Sequence, residues 1–206
     1  MSLKISNELP TYPGDPTVNI SPKIEYKDKG CNVLSLCMGT HSGTHVDVPL
    51  HLIDGGASLD QILLDRFMGE ALFAEIIKGP NEKITLDEVK KLNVKDGDIL
   101  IVRTGWEANS YKENYFKGFP YFSVATADYL ISKGIKAIGA DIPAVDGPEQ
   151  NGAFHKKMML SGIVIIESLT NLKQISGKRM FFSALPLNIK GADGSPVRAI
   201  AFEISL

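Results

Sequence analysis

Short apolar runs separated by turn residues make up most of this chain, and their lengths and spacing predict its elements. Residues 31–39 read as a strand, as do 70–77 (E-A-L-F-A-E-I-I), Ile99–Arg103, 136–140, 163–166 (I-V-I-I), 180–187 and 197–204, the last alternating as V-R-A-I-A-F-E-I. The runs at 99–103 and 163–166 are apolar almost throughout, the pattern of strands buried on both faces. Helix signals fall between them. Thr85-Leu86-Asp87-Glu88 is a capping box, in which each side chain satisfies the other residue's backbone N–H, and it opens a short helix through Leu92. Ser123 caps a helix that runs to Lys133 and stops at Gly134, and Ala153–Leu160 forms another, ended by Gly162. Near the start, Leu9-Pro10-Thr11-Tyr12-Pro13-Gly14-Asp15-Pro16 is a rigid loop, because proline fixes φ and lacks an N–H. Strands and helices intermix without a regular βαβ rhythm, which predicts a layered α/β architecture with a mixed sheet, a single domain over 1–206.

Composition narrows the class. A chain of 206 residues, 44% hydrophobic and 22% charged, can bury a sizeable core. A net charge of -2 provides no basic field for a phosphate backbone, so nucleic acid is not an expected partner. The apolar runs are far shorter than the ~20 residues of a membrane span, and M-S-L-K-I-S-N-E lacks a signal peptide's apolar segment. The expected location is therefore the cytoplasm, with no membrane partner. Cys31 and Cys37 form neither a C-x-x-C pair nor a disulfide framework, and Cys37 reads as core packing.

The chemistry concentrates in residues 41–51, H-S-G-T-H-V-D-V-P-L-H. Read as an extended strand, the stretch puts His41, Gly43, His45, Asp47, Pro49 and His51 on one side and Ser42, Thr44, Val46, Val48 and Leu50 on the other. One face then collects donors while the other lies on a core, leaving the site on the strand's outer surface. Imidazole nitrogen and carboxylate oxygen without thiolate suit an open zinc, manganese or iron site. At ~3.3 Å per residue, His51 lies ~20 Å from His45 unless the chain bends sharply. His41, His45 and Asp47 are therefore expected to converge on one metal, with the chain curving at Gly43, and His51 to serve beside it as an acid/base.

Other polar positions are more ambiguous. Glu167, at the end of a buried apolar run, needs a cation, a metal or a donor, since an unpaired buried carboxylate is costly. Asp141 and Asp146 share a strand-end loop, where each could orient a ligand or shape the turn; turn chemistry is the preferred reading for Asp146. Trp106 can line a pocket or fill the core, and Tyr12 can form a binding wall or pack beneath its loop.

The pattern H-x-G-T-H-x-D-x-P-x-H, matched from His41 to His51, resembles the metal-dependent cyclase/hydrolase family that includes bacterial kynurenine formamidase and isatin hydrolase. The resemblance extends to Tyr12-Pro13-Gly14-Asp15, Ile138-Gly139-Ala140-Asp141, Val145-Asp146, the His155 and Glu167 pair, Ala184-Leu185-Pro186-Leu187 and Ser195-Pro196-Val197-Arg198-Ala199. It implies the swivelling β/β/α, cyclase-like fold and a homodimer or homotetramer. It also implies one or two divalent ions, zinc first and manganese second. His41 and His45 would hold a first metal and His155 a second, with Asp47 and Glu167 touching both and His51 as the catalytic acid/base. The implied activity is hydrolysis of a small amide by metal-activated water, with N-formylkynurenine as the leading substrate. Tyr12 stands where formamidases of this type carry a substrate-stacking tryptophan. Hydrolysis of a cyclic amide, a metal-dependent dehydration and a catalytically silent binding module are the alternatives.

Overall fold

The central hydrophobic runs pair side by side because they are apolar on both faces and must be covered on both. A computed structural model describes residues 1–175 and 177–203. In chain order the strands are β1 (Asn19–Ile24), β2 (Val33–Cys37), β3 (His45–Asp47), β4 (Met68–Glu75), β5 (Lys83–Ile84), β6 (Ile99–Arg103), β7 (Tyr121–Phe122), β8 (Ala137–Ala140), β9 (Val164–Glu167), β10 (Arg179–Ser183), β11 (Gly194–Pro196) and β12 (Ile200–Phe202). The helices are α1 (Tyr26–Lys29), α2 (Leu86–Lys90), α3 (Val124–Ser132) and α4 (Ala153–Leu160). Eight strands form one mixed sheet in the order β11-β3-β9-β8-β6-β4-β10-β12. Its centre, β9-β8-β6-β4, is parallel, and β3, β11, β10 and β12 join it antiparallel.

Side-chain alternation divides each central strand between two cores. Leu100, Val102, Ile138 and Ile165 face a cluster with Leu130 of α3 and Phe154 and Met158 of α4. Ile99, Ile101, Ala137, Val164 and Ile166 face the other side, where Val46 of β3 and Phe182 of β10 join one cluster. Strands far apart in the sheet order meet across this second core, so the sheet curls on itself. Gly139 allows the close approach: a Cβ there would lie 2.7 Å from Ile101 Cδ1. Parallel pairing puts the C-terminal ends of β8 and β9 side by side, and the loop after β8 and Glu167 of β9 emerge next to β3.

The α/β mixed sheet, the strand at Ile99–Arg103 and the helix at Ala153–Leu160 agree with the sequence reading. The Thr85 capping box forms as expected, with the hydroxyl accepting from Glu88 N and the Glu88 carboxylate from Thr85 N. Residues 41–51 differ. They are not one strand: only His45–Asp47 is extended, Gly43 turns the chain at φ 65, and Pro49–His51 winds into a 3₁₀ turn that proline at its first position favours. β3 is also no outer strand. It is buried between β11 and β9, so the site is internal. Residues 31–39 do contain β2, but it pairs only with β1 in an exposed hairpin, and Cys37 is exposed on it, not packed in the core. The strand expected over 197–204 is shorter, Ile200–Phe202, and Ile204 lies outside the described residues.

Candidate metal centre

β3 carries two donors on the same side, His45 and Asp47, and register with β9 sets His45 opposite Glu167. α4 supplies His155, whose Nε2 lies 3.1 Å from Glu167 Oε1 and 3.5 Å from Asp47 Oδ2. The turn before β3 brings His41 Nδ1 to 2.7 Å from Asp47 Oδ1. The structure thus brings together all five residues that the sequence proposed as metal donors. Three groups each have ligand atoms within 4.8 Å of one another: His41/His45/Asp47 and Asp47/His155/Glu167, which share Asp47, and the less buried His41/His51/Asp193. That spacing is close to what ligands ~2.0–2.2 Å from a common ion require.

Donor chemistry provides a further test of fit. His45 Nδ1 lies 2.8 Å from the Gly43 carbonyl, which can only accept, so Nδ1 carries the proton. Nε2 is then the nitrogen left for an ion, and it faces Asp47 Oδ1 at 3.3 Å and Glu167 Oε2 at 3.6 Å. His155 is held the same way, with Nδ1 2.5 Å from Asp146 Oδ2 and Nε2 facing two carboxylates. His41 Nε2 lies 2.9 Å from Asp193 Oδ2 while Nδ1 faces Asp47. Each imidazole therefore has one nitrogen tied to an oxygen and the other turned toward buried acids. This is the arrangement in which an outer oxygen fixes the tautomer of a metal-binding histidine. Carboxylates that converge in a buried space need positive charge, supplied by a proton on the facing imidazole nitrogens or by a metal in its place, and the residues present fit a divalent cation.

Titration behaviour agrees. Burial opposes charge on His41, but Asp47 and Asp193 outweigh it and raise its pKa to about 9. Burial likewise opposes charge on His45 and His155, yet neighbouring carboxylates raise both, His155 well above the usual imidazole range. Burial would push Asp47 up, but the histidines hold it well below the ordinary carboxylate range. The pocket is arranged to hold cationic charge at its centre.

His51 is nearer than an extended strand would allow. The 3₁₀ turn folds it back, so that its ring centroid is 4.1 Å from that of His41 and 6.3 Å from that of His155. The ~20 Å separation of a straight strand is therefore not realised. Its Nδ1 is 3.5 Å from Asp193 Oδ2, and the other ring nitrogen has no protein partner among the described residues. Tyr12 is half exposed on the wall of the same cleft, edge-on to Phe116 at 5.6 Å.

Of the two loop acids, Asp146 departs from the turn role preferred for it, whereas Asp141, for which both roles were open, is structural. Asp141 shapes the turn, accepting from Thr104 N, Thr104 Oγ1 and Gly105 N. Asp146 accepts from Phe154 N and His155 N at the start of α4 and also orients the His155 ring, so it belongs to the site. Trp106 is a core residue, its Nε1 donating to the Tyr115 carbonyl. Asp193 was not singled out by the sequence; its only signal is a turn rich in glycine, Gly191-Ala192-Asp193-Gly194. Among the described residues no helix is long and apolar enough to cross a membrane.

With this geometry in hand, similarity to known proteins adds a family. The family described as "Putative cyclase" matches residues 1–147. A kynurenine formamidase of Geobacillus thermodenitrificans is 31% identical over 97% of this chain and 94% of its own. A solved structure of a potential metal-dependent hydrolase with cyclase activity is 26% identical, with a TM-score of 0.85 over 100% of this chain and 96% of that one. An isatin hydrolase bound to the product analogue thioisatinate, 24% identical over 97% of this chain and 89% of its own, shares the fold with a TM-score of 0.88.

Proposed function

The chain belongs to the putative cyclase family, and from that premise we propose that it is a metal-dependent hydrolase that cleaves the C–N bond of an aryl formamide. The observation that carries this reading is the set of buried His45, Asp47, His155 and Glu167 with partly buried His41, one nitrogen of each imidazole held from outside. His41, His45 and Asp47 would hold one ion, and Asp47, His155 and Glu167 a second. A divalent ion held there would supply Lewis-acid chemistry, lowering the pKa of water from ~15.7 to about 7 and polarising the substrate carbonyl. Zinc is the first choice for nitrogen and oxygen ligands at a closed-shell hydrolytic site, and manganese the second.

The remaining steps belong to the chain's own groups. Tyr12 and Phe116 form an aromatic wall on which an aryl ring can pack edge to face. His51, with Nδ1 toward Asp193 and its other nitrogen unpartnered, takes a proton from the attacking water and returns it to the departing arylamine nitrogen. The amide C–N bond breaks, a C–O bond forms, and formate and the amine leave. A silent binding module would have no use for an unpartnered imidazole beside the donors.

The direct test is hydrolysis of formanilide by the metal-loaded protein, alongside elemental analysis and a chelated control. The expected outcome is formate release that disappears on chelation and returns with zinc or manganese. A fully loaded protein inert toward aryl formamides but active on a cyclic amide such as isatin would transfer the reading to lactam hydrolysis.

A further inference from the structure

Val48 ties two distant segments of the site together through its backbone. Its carbonyl accepts the His51 N–H at 2.9 Å, closing the turn that presents the His51 ring, and its own N–H donates to the Asp193 carbonyl at 3.1 Å. Asp193 therefore stands beside that turn, although 142 residues separate it from His51 in sequence. Its carboxylate is fixed as well. Oδ1 accepts from Thr40 Oγ1 at 2.8 Å, and Oδ2 lies 2.9 Å from His41 Nε2 and 3.5 Å from His51 Nδ1. One carboxylate oxygen thus faces both a metal-donor histidine and the acid/base. The His51 contact is long, as catalytic hydrogen bonds commonly are before substrate closes a site. Both His51 and Asp193 line the cleft of about 790 Å³ into which the donors open.

Resting on the hydrolase reading above, we propose that Asp193 is the positioning residue of the acid/base, holding the His51 ring in the tautomer that carries its proton on Nδ1 and leaves Nε2 free to take one. A carboxylate can only accept, so the imidazole nitrogen it faces is the protonated one. The choice of tautomer decides function, because a neutral imidazole has a single basic nitrogen and the hydrogen bond made by the other sets which it is. With Nδ1 spent on Asp193, the basic nitrogen is the one that has no protein partner among the described residues. Without this acceptor the partly exposed ring would divide between two tautomers and several orientations, and only a fraction of molecules would hold a base at the substrate side. Asp193 touches no reacting atom and acts through His51. Thr40 acts at one further remove, by pinning Oδ1 so that Oδ2 stays between the two rings. Because Oδ2 is shared, the orientation of His51 is referred to that of His41, and the proton-transfer group is held in register with the donor cluster.

The test combines a double-mutant cycle with a spectroscopic reading of the tautomer. Asp193→Ala removes the acceptor, and since it also frees the His41 ring, turnover is compared at metal concentrations where elemental analysis shows equal loading. On formanilide the expected result is kcat reduced about 10–100-fold with KM little changed. The same substitution made in His51→Ala should change kcat by no more than about 2-fold, because its effect runs through a ring that is no longer there. A full loss in that background would mean that Asp193 acts through His41 alone and would overturn the proposal, as would wild-type kcat in Asp193→Ala. Nitrogen-15 spectra of the imidazoles in the zinc-loaded wild type at pH 8.5, with the His51 signals assigned by their absence from His51→Ala, read the tautomer without turnover. Protonation of His51 on Nδ1 is the expected result, and protonation on Nε2 overturns the proposal. If the loaded wild type hydrolyses no amide, the hydrolase reading fails, and the tautomer spectrum alone decides whether Asp193 orients His51.

Discussion

At the scale of single residues, the site is defined by which nitrogen of each imidazole is already spent. His45 spends Nδ1 on Gly43, His155 on Asp146, and His41 spends Nε2 on Asp193, which leaves His51 as the one ring with an unpartnered nitrogen among the described residues. His45→Ala should therefore abolish metal content and activity together. His51→Ala should retain metal and fold but lose about 10²–10⁴-fold in turnover. The close approach of His51 to His41 gives this comparison its value: elemental analysis showing metal lost from His51→Ala would make His51 a ligand. A second pair separates the loop acids. Asp146→Asn should weaken metal affinity by about 10–100-fold by freeing the His155 ring. Asp141→Asn should lower the melting temperature, because an amide group replaces a buried acceptor of several N–H groups, while metal affinity changes little. Four of the five proposed donors were legible because they cluster in one pattern or end a buried run, whereas His155, on a helix of its own, came only with the family resemblance. Asp193 was not legible, since a lone aspartate between glycines looks like turn chemistry until the fold carries it next to His41.

At the scale of elements, short β3 is the keystone, and its neighbour β11 fits it through a missing side chain. Gly194 pairs with Asp47, and a Cβ there would lie 2.6 Å from the Val46 carbonyl oxygen and 2.8 Å from His41 Cε1. Backbone cannot yield as a flexible side chain can, so Gly194→Ala should displace the His41 ring. The expected result is metal affinity reduced by an order of magnitude or more, with far-UV circular dichroism close to wild type; wild-type affinity in that variant would mean that His41 is not held by β11. Buried runs such as 99–103 and 163–166 were readable because a strand covered on both faces is apolar at nearly every position. Residues 41–51 misled because alternation reports side-chain direction without reporting bends. Gly43 and Pro49 end the strand on either side, and the bend at Pro49 turns His51 inward. The β1–β2 hairpin was legible only in part: the strand read over 31–39 contains β2, but β1 and the exposure of the pair were missed. Val33, Leu34 and Leu36 are exposed, so their apolarity reports no core.

At the scale of the whole molecule, the concentration of buried charge couples stability, pH and metal. In the metal-free fold, His41 is raised from 6.5 to about 9, so its contribution to stability is complete below about 6.5 and lost as pH rises through about 9. Asp193 is lowered from 3.8 to about 2, so its contribution is present above 3.8 and lost as pH falls through about 2. The metal-free protein should accordingly lose stability between pH 6.5 and 9 on account of His41. Metal binding runs the other way. A ligating nitrogen must give up its proton, and both His41 nitrogens face carboxylates that keep it protonated, so apparent metal affinity should rise across the same interval. Because a ligand stabilises the fold in proportion to RT ln(1 + [L]/Kd), the metal-induced rise in melting temperature should grow with pH. Thermal melts with and without a fixed manganese concentration at pH 6.5, 7.5 and 8.5 measure both trends. A metal-induced shift that shrinks as pH rises would mean that metal binding does not displace a proton from this histidine cluster, and His41 would have to be removed from the ligand set.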